Sequence, residues 1–291
     1  MALLAERLPF KRVSLLKFLL LSSLFIFFFF PVYKPLLERF NATDSYYSHG
    51  YLVPFISIYL IWRKRFTLNK IVPAPHPLGI FVLLIGVFMH LLGVVLKINF
   101  ISYFAIPFVL LGLSIYLRGV EFTREILFPI VFLIFMLPLP RVLIIGITFK
   151  LKLLVAQWAT FIGNAIGIEA TRSGSTIYYP GGYLLVGDPC SGLRSLLTFI
   201  ALGALLTQFT KGNNIRKIIL FLSSIPIALL SNLARITFLL FMSYVYGEKV
   251  ALGFMHELSG VVIFILGFMG LIGVSKAVGC HLSLGPENEQ I

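Results

Sequence analysis

The chain is predicted to be an all-α polytopic membrane protein of about eight transmembrane helices, with a short amphipathic helix and a β-hairpin outside the bilayer ahead of a cysteine at position 190. Three observations carry this. The 291 residues are 59% hydrophobic and only 12% charged, with a mean hydropathy of +0.98, far from the roughly 45–50% apolar and about 25% charged content of soluble domains. Apolar runs long enough for a hydrocarbon core of about 30 Å recur along the chain, each bounded by charge. The 24 Lys and Arg residues sit at the ends of those runs and form no basic stripe. The net charge of +13 therefore reports topology and argues against a nucleic-acid partner.

Spans fall near 15–33, 46–62, 78–96, 100–117, 126–140, 194–209, 218–245 and 258–275. No small-residue cleavage site follows the first run, so it reads as a retained span. The fifth, ILFPIVFLIFMLPLP, is short and stops at Pro138 and Pro140. Between the fifth and sixth lies 142–168, long enough to cross but carrying Lys150 and Lys152 in its middle. An amphipathic or re-entrant helix along the outer surface is the preferred reading, because a crossing would turn the basic cluster KGNNIRK outward. STIYYPGGYLLV follows, two β-prone runs around a Pro-Gly-Gly turn, and reads as a hairpin. The whole chain, 1–291, reads as one integral membrane domain, and the tail GPENEQI as a frayed end.

Basic residues of short loops are retained on the cytoplasmic side. With the N-terminus inside, the inner segments hold Arg7, Lys11, Arg12, Lys17, Arg63, Lys64, Arg65, Lys70, Arg118, Arg124, Lys211, Arg216, Lys217 and Lys276, 14 of the 24. Both termini are then cytoplasmic, and Cys190 lies at the extracytoplasmic face.

GDPCSGLR, Gly187 to Arg194, has the chemistry of a helix start. Asp188 can accept from free backbone N–H groups, and Pro189 lacks only a donor that the first helical position does not use. Cys190 is expected in the first turn of the sixth helix, beside Ser191, where the helix dipole favours a thiolate. Unpaired N–H groups there would serve an oxyanion. Arg194 follows four residues on, one turn deeper on the same face. The competing reading is a small packing thiol.

SNLARI interrupts the seventh span with Asn232 and Arg235, three apart and on one face. Seventeen steps from Ile218 amount to roughly 25 Å, which puts Arg235 near the outer boundary. A charge inside a span points to function, with snorkelling as the alternative. GFMHELSG places His256 and Glu257 at the same face, where the histidine is an available proton carrier and the glutamate a partner or a favourable helix-start charge. His49, in YYSHGYLVP, is also outside and able to line a site, whereas His76, His90 and Cys280 take structural readings. A nucleophile, a cation and a base from three helices fit cysteine acyl transfer. With two cysteines ninety positions apart and no HExxH pattern or nucleotide fingerprint, no metal or other cofactor is expected.

CSGLRSLL, SNLARI and MHELSG, in that order, together with YSHGYLVPFISIYLIWRKR, MLPLP and the strand-rich run before the cysteine, resemble the exosortase/archaeosortase family, nearer its bacterial branch. The resemblance implies a membrane cysteine transpeptidase whose catalytic core occupies about 170–275 and whose site comprises Cys190, Arg235 and His256. It also implies partner proteins with a C-terminal sorting tail of the PEP-CTERM type: a short motif, a hydrophobic helix and a basic end. Asp188-Pro189 departs from the family's usual residues there and leaves the sorting motif open. The extended motif would add as a strand to the hairpin around Gly181 and Gly182. A non-catalytic assembly factor for exported polysaccharide, a transporter and a purely hydrolytic intramembrane protease are the competing classes. Membrane lipids are the other expected contacts, and the acceptor nucleophile is open.

Overall fold

The computed structural model describes residues 19–42 and 45–282. Arg7, Lys11, Arg12, Lys17, the start of the first predicted span and the tail GPENEQI lie outside the described residues. In chain order the helices are α1 (Leu19–Phe28), α2 (Phe30–Asn41), α3 (Leu52–Arg63), α4 (Arg65–Lys70), α5 (Leu78–Val95), α6 (Asn99–Arg118), α7 (Val120–Phe132) and α8 (Arg141–Ala165). Three short strands follow, β1 (Thr171–Ser173), β2 (Thr176–Tyr179) and β3 (Gly182–Leu185), and then α9 (Leu193–Gln208), α10 (Asn214–Tyr246), α11 (Glu248–Leu252) and α12 (Phe254–Ala277). Thr210–Lys211 (β4) pairs with His281–Leu282 (β5).

Six helices, α5, α6, α8, the segment containing α9, α10 and α12, are long and apolar enough to cross a membrane. A seventh candidate is the pair α1 and α2, bent by 70°. Six or seven candidates stand beside the about eight expected: 142–168, read as lying along the surface, is as α8 long enough to cross, and three expected spans are broken. The first span breaks at Phe29, where Pro31 starts a new helix instead of continuing the old one. The second and fifth spans are compound. A 3-10 turn at Ser48–Tyr51 precedes the 12-residue α3, and 13-residue α7 tightens into a 3-10 turn at Leu133–Met136 before the prolines.

Four apolar clusters hold the described bundle, and the two largest bear on the site. One gathers Phe29, Val32, Tyr47, Tyr103, Ala105, Phe132 and Leu137 from α2, α6, α7 and the adjoining turns. Against it, α5 lies on α6 through glycines seven apart. A Cβ on Gly79 or Gly86 would stand 2.3 Å from Tyr116 N or 2.8 Å from Val109, so small residues let the backbones approach where lipid gives helices little reason to associate. The second core joins α8, α10 and the sheet through Ala156, Ala159, Ile177, Leu184, Ile236, Leu239 and Leu240, and it includes Cys190.

The hairpin is present and has a third strand. β1, β2 and β3 form an antiparallel sheet in that order, with Thr176 opposite Leu185 and Tyr179 opposite Gly182. Gly181 turns it at φ +93°, a conformation that L side chains rarely adopt. The Tyr179 hydroxyl shares a hydrogen bond with Ser243, which ties the sheet to the last turns of α10. Both ends of α8 lie at this same end of the bundle. Its first turns stand beside Tyr47 and Asp188, while Gly163 near its other end packs on Leu240.

Candidate active site

β3 runs into a 3-10 turn, Asp188–Cys190, with Pro189 at its start. Cys190 N donates to Gly187 O at 3.1 Å, and Ser191 N to Asp188 O at 3.2 Å. α9 begins only at Leu193, after Gly192 has turned the chain at φ +89°. Cys190 is therefore not in the first turn of the sixth predicted span, as the sequence suggested, but ahead of it. The four-residue spacing to Arg194 consequently does not describe one helical face. Asp188 differs as well. Its carboxylate caps no backbone group and instead accepts from Lys152 Nζ of α8 at 2.7 Å.

Gly192 has a second reason to lack a side chain. A Cβ there would fall 2.6 Å from Asn232 Nδ2, and that amide nitrogen donates to Cys190 O at 3.1 Å. Buried Asn232 of α10 thus holds the cysteine's carbonyl. Ser191, also buried, accepts from Leu193 N through its hydroxyl.

The three residues expected to meet do so. Cys190 Sγ stands 3.1 Å from His256 Nε2, and Arg235 Nη2 stands 3.2 Å from the same nitrogen. Arg235 Nη2 also donates to His256 O at 2.9 Å, an oxygen that Ser259 Oγ reaches at 3.0 Å. A guanidinium only donates, so Nε2 presents its lone pair to both neighbours. The ring in this arrangement is neutral imidazole protonated at Nδ1, the form able to take the thiol proton. Gly260 lies against the cation, a Cβ there being 3.4 Å from Arg235 Nη2, an ordinary contact distance.

A cavity of about 620 Å³ opens beside this group. Arg194, Asn232, Arg235, His256 and Glu257 line its polar part, and Phe199, Val261, Ile263 and Phe264 its apolar part. Arg194 Nε is buried and, among the described residues, has no hydrogen-bond partner. Glu257 is exposed on the cavity wall, while His256 turns Nε2 to Cys190 and Arg235. His49 stands one residue behind the wall. Its Nε2 meets Phe135 O at 3.2 Å and its Nδ1 meets Thr198, a lining residue, at 3.4 Å. Gly181 and Gly182 form the hairpin turn and are not part of the lining. Cys280 is a free, buried thiol beside Gly212 at the far end of the bundle.

Sequence reasoning missed Lys152, Gly192, Ser259 and Gly260. For the glycines there was a signal. CSG and ELSG each end on a Ser-Gly pair; Gly192 admits Asn232 of α10, and Gly260 lies against Arg235 of the same helix.

A thiol, an imidazole and a guanidinium on one ring nitrogen, inside a bundle of membrane-length helices, define a candidate membrane cysteine enzyme. The transmembrane exosortase (EpsH) family model matches residues 38–273, most of the chain, so the chain belongs to that family, a group of membrane protein-sorting enzymes. No curated protein and no solved structure matches it.

Proposed function

We propose that the chain is a cysteine transpeptidase that removes C-terminal sorting tails at the outer face of the cell's inner membrane. The observation that carries this reading is the convergence of Cys190 Sγ and Arg235 Nη2 on His256 Nε2.

In this reading Cys190 passes its proton to His256 Nε2 and the sulfur attacks the scissile carbonyl. Nε2 then has no lone pair for Arg235, whose Nη2 is released toward the negative charge forming on sulfur and oxygen. Arg194 and Ser195 line the same cavity, and their backbone N–H groups, in the first turn of α9, have no acceptor within the helix. They serve the oxyanion together with Arg235. Collapse breaks the C–N bond, the imidazolium protonates the departing amine, and a thioester remains on Cys190. An acceptor amine or water completes the cycle.

Asp188 and Ser191 shape the turn, and Asn232 positions Cys190 through its carbonyl. The end of the bundle bearing Cys190 is the outer one in this reading, and α8, with both ends there, lies along that side without crossing. The test is to incubate the purified enzyme with a reporter ending in a PEP-CTERM-like tail and record intact masses. A hydroxylamine-sensitive adduct on the enzyme and a reporter shortened by its tail are expected. A shortened reporter without any adduct would sink the covalent route, and an intact reporter would count against tail cleavage.

The extended motif is proposed to add to the outer edge of β3, the strand leading to Cys190. Replacing Gly181 and Gly182 with valine strains the turn and sets a branched side chain against the Tyr179 hydroxyl, 2.8 Å from the position-182 Cβ. Tail cleavage should fall about tenfold or more, read as reporter trimmed per unit time. Unchanged trimming would remove the strand-addition step.

A further inference from the structure

Two basic clusters that the site does not use, Arg63-Lys64 at the end of α3 and Lys211 to Lys217 around the start of α10, are some 150 positions apart in sequence, yet they share one pocket. It measures about 320 Å³ and is lined by Arg63, Lys64, Lys211 and Lys217, with Leu60 and Phe209 on its apolar side. No carboxylate is among its described lining residues. The volume falls within the range of small-ligand sites, about 300–1,000 Å³.

The pocket has built walls. Arg63 Nη1 donates to Gln208 O at 3.3 Å and its guanidinium covers the Phe209 ring at 4.8 Å. Lys64 Nζ is held by Glu125 Oε2 at 2.9 Å. Lys211 is fixed through its backbone, since β4 pairs with β5. The first turn of α10 opens alongside with no side-chain cap from Asn213, so unpaired N–H groups and the positive end of a 33-residue helix add to the cations.

Its depth is set by the helices. From Arg235 back to Lys217 is about 27 Å along α10, and from Arg194 to Gln208 about 21 Å along α9. The pocket therefore lies across the bilayer from Cys190. Exposed Tyr59 and Trp62 flank it, with Tyr59 stacked on Phe209 and Arg65 over Trp62. Such aromatic side chains mark the headgroup level of a membrane interface. A phosphate there meets Lys211 and Lys217, beside Arg63 and the Glu125-held Lys64, and acyl chains continue along the exposed apolar helix faces.

We propose that this pocket binds the phosphate of an anionic phospholipid headgroup at the boundary opposite the active site. The interfacial aromatics favour a lipid over soluble phosphate as its source. The test uses the full chain in zwitterionic nanodiscs with phosphatidylglycerol added, binding being read by native mass spectrometry and by thermal stability. Lys211→Gln with Lys217→Gln should weaken phosphatidylglycerol retention roughly thirtyfold, taking each cation at its usual contribution. The Lys211→Arg, Lys217→Arg pair should restore retention, and Lys70→Gln, outside the pocket, should leave it unchanged. Equal retention of phosphatidylcholine and phosphatidylglycerol by the wild type, or full retention by the double glutamine variant, would overturn the proposal. Stabilisation by inorganic phosphate alone, lost in the same variant, would keep the phosphate site and overturn its lipid assignment. Neither readout depends on tail cleavage, so the proposal stands or falls apart from the proposed enzyme activity.

Discussion

Cys190→Ala should abolish tail removal, with a loss of at least about 10⁴-fold in turnover, and Cys190→Ser should recover almost none of it. An alkoxide is far harder to form than a thiolate, and a serine hydroxyl presents a shorter bond to a His256 nitrogen placed for sulfur at 3.1 Å. Both variants should reach the membrane at wild-type levels. The side chain is only one of many in its core, and the turn around it is held by backbone bonds and by Asn232 on the carbonyl. The measurement is reporter trimming in cells by intact mass, at matched enzyme levels. Equal trimming by the alanine variant would end the catalytic reading of this cysteine and leave a non-catalytic assembly role leading.

Arg235→Lys should lower turnover by about 10²–10³-fold while leaving tail binding close to wild type. Arg235 reaches the ring nitrogen and the carbonyl of His256 with one nitrogen, Nη2, whose position is set by the rigid, planar guanidinium. Lysine keeps the charge but offers a point donor on a flexible stem. If the arginine acts on the reacting atoms, the loss appears in kcat and KM moves little. A change confined to KM, or a fall in thermal stability that tracks the fall in rate, would show that it only supports the packing of α12. Full activity in the lysine variant would mean that charge alone suffices.

The residues that converge in the candidate site were legible in the sequence because polar residues are scarce in apolar runs. Asn232, Arg235 and His256 each stood out against lipid-soluble surroundings, and helical rise alone brought Arg235 to the level of Cys190. What was not legible depends on backbone geometry or on partners distant in sequence. The left-handed turn at Gly192 displaces Cys190 from the helix where the Asp-Pro pair seemed to put it, and no periodicity encodes that break. Asp188 looked like a cap, but Lys152, 36 residues earlier, takes its carboxylate, and a lysine on the preceding helix carries no mark of its partner. The count of spans suffered for a similar reason. Hydropathy sees the run through Phe29 as continuous, whereas Pro31 divides it into two helices at 70°.

α10 joins two places that chemistry would otherwise treat separately. Its first turn touches the basic pocket, and Asn232 and Arg235 ride on the same helix about 27 Å away. An arm of that length tilted by about 2° moves its far end by about 1 Å, a misplacement able to cost a catalytic arrangement two orders of magnitude. Helix tilt answers to the thickness of the surrounding bilayer. A shift of α10 at its pocket end is thereby a mechanical link to the two side chains of the proposed reaction site.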